Sequence, residues 1–489
     1  MLKCLYHYLT RLHRHERGAM AMFVGLGIFT LTAATGVAVD MSRVQSVHAK
    51  LANALDAAGL AAGAKVHSSD PQAVVENYVR ANFPAGYLAA EVTDVSVVIS
   101  EDNLILDLSA TAEVDMTFMR IFGQESQTVS ANSQITRKNR GLELVMVLDV
   151  TGSMYGSKIS DLRTAATDMV NILFGAQSNV DKLHVGLVPY TTTVNIGNHN
   201  TAWLRDYDLS RYPPNYPNWA TKWKGCVEAR GQNPDLNGLD TSDALPDSSD
   251  PDTLFPMFFW ESNWDNEWID PDDGDVELNQ NDGYSDGGAK GPNIGCGDEV
   301  TPFTSNKSTI QGAIDNLNPW RRGGTMSSIG LAWGWRMISP AWRGMWNHSS
   351  AELPFDYDKP LFEKAVIIMT DGVNEVFSPH SNPPFNSDYT GYRRIGEERL
   401  GNGINTRSEG VTAVNSRFTA LCNAMKQQDI KIYAITFRLN NSTAANNART
   451  MFRNCATHPD YYFDSPDGSE LRQAFRQIGD SLANLMISR

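Results

Sequence analysis

Residues 144–153 read LVMVLDVTGS: an apolar run that ends in Asp149 and continues into Thr151 and Ser153, two hydroxyls one residue apart. Far downstream stand Gly323-Gly324-Thr325 and a second apolar run, AVIIMTDG, ending in Asp371 and Gly372. Asp149 and Asp371 are hard anionic donors, and Thr151, Ser153 and Thr325 are hard neutral ones. An oxygen-only set of this kind suits a divalent cation, Mg²⁺ first and Mn²⁺ or Ca²⁺ as alternatives, and does not suit softer metals. With only two carboxylates around it, the cation stays electrophilic and short of one ligand, which a carboxylate from a protein partner could supply. Taken singly, a strand-end aspartate more often caps the helix or turn that follows it. The conjunction of three segments is the specific signal.

Other chemistry is poorly supported. An aspartyl-phosphate hydrolase needs a second aspartate where Thr151 stands, and Gly152-Ser153-Met154 lacks the glycines of a nucleophile elbow. No phosphate loop or dinucleotide fingerprint occurs, and the ten histidines form no ligand-spaced cluster. The chain therefore reads as a non-enzyme. The run Asp270-Pro271-Asp272-Asp273-Gly274-Asp275 fails the calcium-loop spacing and reads as a solvated acidic loop.

The elements that must position these donors follow from periodicity. Buried strands are predicted at 142–148, 183–189, 365–369 and 430–437, alternating with amphipathic helices such as 158–174, where Ile159, Leu162, Ala166, Met169, Val170 and Leu173 share a face. A last helix carries Leu471, Phe475, Ile478, Leu482 and Leu485. Alternation of this kind predicts an α/β fold, a Rossmann-like doubly wound and mostly parallel sheet. Ligands of such sheets bind outside the carboxyl ends of the strands, where Asp149 and Asp371 fall. Residues 196–305 and 376–408 are too long and irregular for ordinary loops and read as insertions. The first holds six of the eleven tryptophans (Trp203, Trp219, Trp223, Trp260, Trp264 and Trp268), which points to a compact core of its own.

Ahead of this domain, residues 19–39 are 21 residues without a charge, long enough as a helix to cross a bilayer. Lys3, Arg11, Arg14 and Arg17 precede them, so the positive-inside bias puts residues 1–18 in the cytoplasm and the bulk of the chain outside. A cleaved signal peptide is the competing reading. Met41, Val44, Val47, Leu51, Leu55 and Ala58 continue a helical stripe beyond the apolar segment. Ser69-Asp70-Pro71 reads as a helix start. Strands at 95–99 and 104–114, joined at Glu101-Asp102-Asn103, complete a small α+β region over 40–139, and Arg137-Lys138-Asn139-Arg140 reads as a linker to a domain over 140–489. The net charge of −15 argues against nucleic acid as a partner. It is concentrated between Asp235 and Glu299, where 18 acids face the single Lys290. Cys226, Cys296, Cys422 and Cys455 are disulfide candidates; of three possible pairings, 226–296 with 422–455 closes the most local loops. None of them has a near neighbour at zinc-ligand spacing.

The Asp149-Val150-Thr151-Gly152-Ser153 segment, the Gly323-Gly324-Thr325 loop and Thr370-Asp371-Gly372 resemble the metal-ion-dependent adhesion site of von Willebrand factor type A (VWA) domains. The usual first motif is Asp-x-Ser-x-Ser, and Thr151 keeps the hydroxyl of the first serine while adding a methyl. The resemblance implies Thr151, Ser153 and Thr325 as hydroxyl ligands, with Asp149 and Asp371 acting directly or through water. The wider layout, Arg17-Gly18 before a membrane helix, the segment DMSRVQSVHAKLANALDAAGLAAGA, Gly334-Trp335-Arg336 ahead of Ser339-Pro340, and Arg453-Asn454-Cys455-Ala456, resembles the TadG-like proteins of tight-adherence (Tad, Flp-type) pilus systems. That resemblance implies a bacterial inner-membrane protein with a periplasmic bulk, acting in pilus assembly or anchoring beside pilin-like subunits. A surface adhesin that contacts host or abiotic surfaces directly is the alternative. Prepilin-type processing after Gly18 would want an acid where Phe23 stands.

Overall fold

In this computed structural model the described residues are 16–64, 70–100, 105–136, 140–231, 238–263, 265–279, 289–377 and 387–487. The basic N-terminal residues 1–15, Ser69, the turn Glu101-Asp102-Asn103, the linker residues 137–139 and Trp264 lie outside them. Two compact units divide the chain: residues 1–139 with 487–489, and residues 140–486.

The first unit is built on helix α1 (Glu16–Ala64), 49 residues without a break. Its first half is apolar on every side and lies exposed, with Met22, Phe23, Leu26, Phe29 and Leu31 each at least 64% accessible. Its second half follows the predicted stripe: Val47, Leu51, Leu55 and Ala58 are fully buried. They pack against α2 (Pro71–Asn82) and the antiparallel sheet β1 (Ala90–Ile99), β2 (Ile105–Asp115), β3 (Ser126–Thr136), in that order. Asp70 caps α2 through the Ala73 N–H at 3.0 Å, with Pro71 at the first helical position. The third strand was not predicted. Its sequence, SQTVSANSQIT, offers only Val129, Ala131 and Ile135 to the inner face, too few apolar residues to mark a strand.

In the second unit a six-stranded sheet runs β9-β8-β7-β4-β5-β6, where β4 is Gly141–Asp149, β5 Leu183–Tyr190, β6 Thr301–Thr304, β7 Phe362–Thr370, β8 Lys431–Phe437 and β9 Tyr462–Ser465. All pairs are parallel except the edge pair β5–β6. The strand β6 comes from within the segment read as an insertion; its Pro302 is tolerated because it lies at the sheet edge. Every residue of β4 is buried, as in a strand covered on both faces. Val147 packs on α5 (Ser327–Ile338) at Gly334 and α6 (Arg407–Gln427) packs beside α5, while α3 (Ser157–Phe174) and α8 (Gly468–Ile487) meet each other at Met169 and Gly479. Two further helices, α4 (Lys307–Asp315) and α7 (Thr443–Cys455), complete the layers.

All twelve residues of α5 are buried. Its sequence, SSIGLAWGWRMI, is apolar around most of its circumference, so it needs cover on the side away from the sheet as well. The long segment after β5 supplies that cover. Trp203 and Phe255 pack on Trp333, with ring centroids 6.3 and 4.7 Å away, and Trp342 and Trp346 close the group. Buried Arg336 at the end of α5 donates to the carbonyls of Ser242, Leu239 and Asp240. Trp223, Trp260 and Trp268 are buried and Trp219 is exposed, so most of the described tryptophans of this segment serve a core, part of it shared with the sheet. Disulfides join Cys226 to Cys296 and Cys422 to Cys455, the most local of the three pairings.

Candidate metal centre

Strands β4 and β7 are direct neighbours in register, Leu148 opposite Met369, so their carboxyl ends deliver Asp149 and Asp371 side by side. Asp149 is fully buried. Its Oδ1 accepts the Thr151 backbone N–H (2.9 Å) and hydroxyl (2.6 Å), and its Oδ2 accepts the Thr370 hydroxyl at 2.8 Å. The Tyr190 hydroxyl, 3.5 Å from the same Oδ2, donates more closely to the Met369 carbonyl. Thr151 and Ser153 place their hydroxyls 3.0 Å apart, and Ser153 donates to Asp371 Oδ1 at 2.6 Å. The result is a continuous chain of carboxylate, hydroxyl, hydroxyl and carboxylate. Ser153 is its exposed member, and the Asp371 side chain is fully buried.

Burial, and then the neighbouring Asp371, push the Asp149 carboxyl well above its ordinary range, against the hydrogen bonds from Thr151 and Thr370 that favour its charge. Two buried carboxylates drawn together gain from a positive charge beside either of them. Lys158, in the first turn of α3, supplies one: its ammonium lies 2.7 Å from Asp371 Oδ2. Lys158 is inconspicuous in the sequence, because a lysine near a helix start carries no mark that separates it from a solvated one.

Thr325 arrives by a different route. It pairs with Glu375, four residues beyond Asp371, in a short antiparallel ladder of Gly324–Thr325 with Glu375–Val376. The two preceding glycines have φ of +81° and +97°, and a Cβ on Gly324 would collide with the Glu375 carbonyl oxygen. Trp320 donates to the Val150 carbonyl at 2.8 Å, which draws the loop onto the Asp149 segment. Among the described residues no hydrogen bond joins the Thr325 hydroxyl to the other four donors, so the structure brings the loop to the site without linking that side chain into the chain.

The loop is clamped by residues the sequence did not single out. Arg322 makes a two-point contact with Asp388 (2.7 and 2.9 Å), whose Oδ2 also accepts the Gly323 N–H. Arg394 pairs with Asp265 and donates to the Ser387 carbonyl, and Arg322 lies over the Trp260 ring. Asp265 and Asp388 come from the two irregular segments, so both segments hold the Thr325 loop in place. The acidic run at 270–275 forms local turns instead: Asp270 accepts from the Asp272 N–H and Asp273 from the Asp275 N–H.

The donor set fits a hard cation. It is all oxygen, it carries two carboxylates, and it stands at the strand ends where an open parallel sheet binds ligands. Among the described residues no group of three or more His, Cys, Asp and Glu side chains converges on a common point.

The architecture around these donors is an open, mostly parallel α/β sheet with Asp149 and Asp371 at the ends of its two central strands. Residues 18–65, at the other end of the chain, match the family model described as "Putative Flp pilus-assembly TadE/G-like". The chain is also similar to several solved structures. They include the von Willebrand factor domain of the type V pili tip protein Mfa5 from Porphyromonas gingivalis (12% identity, 72% of this chain and 97% of that one, TM-score 0.37). A point mutant of the PilB minor pilin from Streptococcus sanguinis is another (11% identity, 82% and 81%, TM-score 0.32). The pilus adhesin SpaC from Lactobacillus rhamnosus GG is a third (12% identity, 80% and 34%, TM-score 0.34), and the chain spans about a third of its length. No curated protein matches the chain.

Proposed function

We propose that the chain is a non-enzymatic, membrane-anchored envelope protein of Tad-type pilus assembly or anchoring. In this reading the type A domain grips a protein partner through a divalent cation, while residues 19–39 span the inner membrane and leave the bulk of the chain in the periplasm. The observation that carries the binding part is the continuous chain from Asp149 through Thr151 and Ser153 to Asp371, completed by the Thr325 loop. The TadE/G-like match over 18–65 supports the pilus part and the company of pilin-like subunits.

Thr151, Ser153 and Thr325 would hold the cation by their hydroxyls, with Asp149 and Asp371 direct or water-bridged, and Mg²⁺ is the expected ion. Once bound, the ion offers a Lewis-acidic position to a partner's carboxylate. The chain's own residues prepare that position. Thr370 and Thr151 fix Asp149 and the Arg322–Asp388 pair fixes the Thr325 loop, while Lys158 competes with the cation for Asp371.

Titrating full-length protein in detergent micelles with Mg²⁺ by calorimetry, alongside in-cell crosslinking, tests this reading. Asp149→Asn is expected to abolish Mg²⁺ binding and to remove one crosslinked partner, and Ser153→Ala to weaken both. Undiminished Mg²⁺ binding in folded Asp149→Asn protein would overturn the assignment.

A further inference from the structure

The first unit carries an apolar cluster that its own core does not use. Ile121 is 78% exposed, Phe122 59%, and Phe118 and Leu88 39% each. Three of these sit on one turn, Met119–Phe122 with its flanks, between β2 and β3, and Leu88 sits on the turn before β1. A soluble surface tolerates single apolar residues, but four on two adjoining turns call for a partner.

The position of these turns says which partner. Gly36 and Asp40, one helical turn apart on the same face of α1, are both buried. The Asp40 carboxylate accepts the backbone N–H groups of Phe118 (2.7 Å) and Met119 (2.8 Å), and of Thr117 at 3.3 Å. The Phe118 side chain lies against Gly36, where a Cβ would stand 2.8 Å from it. Arg43, one turn further on, donates to the Thr117 hydroxyl and to the Leu88 carbonyl, each at 2.7 Å, and so ties the two turns together. Gly36 belongs to the apolar segment that ends at Val39. Phe118 therefore reaches roughly 4–5 Å back along the helix from the end of that segment.

We infer that the turns at 86–89 and 117–123 form a wedge that dips into the lipid bilayer around α1, with Phe118, Ile121, Phe122 and Leu88 among the acyl chains and Arg120 and Arg43 at headgroup level. The inference rests on the reading of residues 19–39 as membrane-spanning. Continuity with that span is what selects lipid as the occupant: any surface level with Gly36 and facing outward from the helix meets the bilayer. Apolar side chains flanked by basic ones match the composition of an interfacial anchor. Asp40 would then set the depth of the whole unit.

Full-length protein with Cys4→Ser and both disulfides intact would be placed in phosphatidylethanolamine–phosphatidylglycerol vesicles. Single environment-sensitive fluorophores would be attached at Ile121→Cys, at Phe29→Cys within the span, and at Asp107→Cys, at the opposite end of β2. Nitroxide-labelled lipid is expected to quench the probes at 121 and 29 about twofold or more and to spare the one at 107. Quenching at 29 with an aqueous, unquenched signal at 121 overturns the wedge while the anchor stands. A blue-shifted but unquenched signal at 121 also overturns it, by showing that protein covers the turn. No quenching at either position refutes the anchor itself, and the wedge with it.

Discussion

Removing the charge of Lys158 is expected to tighten cation binding. The Lys158 ammonium lies 2.7 Å from Asp371 Oδ2, and 24% of its side chain is exposed. A divalent ion on the same carboxylate would feel that charge. At a separation of about 5 Å the repulsion between charges of one and two is roughly 2 kcal/mol in water and roughly 7 kcal/mol at an effective dielectric of 20. The partial exposure of Lys158 favours the lower figure, and a lysine can swing towards solvent to relieve part of it. A net gain of about 1.4 kcal/mol remains, or a tenfold lower Kd for Mg²⁺ in Lys158→Gln. Calorimetric titration at physiological salt measures it, with Lys158→Arg as the control that keeps the charge and is expected to bind as the parent does. Equal or weaker Mg²⁺ binding by Lys158→Gln, with an unaltered melting curve, would refute the argument that ammonium and cation compete for Asp371.

Gly324→Ala forces a side chain against the Glu375 carbonyl at φ of +97°, so a loss of about 2–3 kcal/mol in denaturant melts and of Mg²⁺ binding is expected; parent-like binding would contradict the role given to the loop. His184, stacked on Phe362, is pushed by burial down to about 4 from its ordinary 6.5, against the raising influence of Asp181. Its unfolded form therefore binds the extra proton. The stability it contributes is complete above pH 6.5 and falls as pH drops towards 4, by about 2 kcal/mol at pH 5. In His184→Leu, melts across that window should show a shallower dependence. Replacing Cys422 and Cys455 together by alanine opens a loop spanning 33 residues and should cost about 3–4 kcal/mol of stability to unfolding. A membrane-impermeant reagent applied to intact cells should leave the protein unlabelled if its bulk is periplasmic; strong labelling would favour the adhesin reading.

The strands that hold Asp149 and Asp371 were legible because both are buried on both faces and read as unbroken apolar runs. The hydroxyls were legible because their spacing is local. Thr325 could be found by motif, but not the reason its loop holds its place. Arg322 and Asp388 are 66 residues apart, and Asp265 and Arg394 are 129 apart, with no periodicity to connect them. Nor could the role of the tryptophan-rich segment be read from composition alone. Its aromatic residues look like a separate core, and the need for them lies in α5, whose apolar circumference demands cover on its far side. The strand β3 escaped because polar residues occupy most of its length, and its place is settled by pairing with β2 along all eleven residues.

Helix α1 runs from Glu16 to Ala64 with no break, and the same rod that leaves the apolar segment becomes the central helix of the first unit. At about 1.5 Å per residue it is roughly 73 Å long. No swivel separates the apolar segment from the unit: to twist the helix about its axis is to turn the unit, and a pull along it reaches the sheet directly. Asp40 and Arg43 brace that junction. A load applied at the apolar segment would pass into the unit along one unbroken helix.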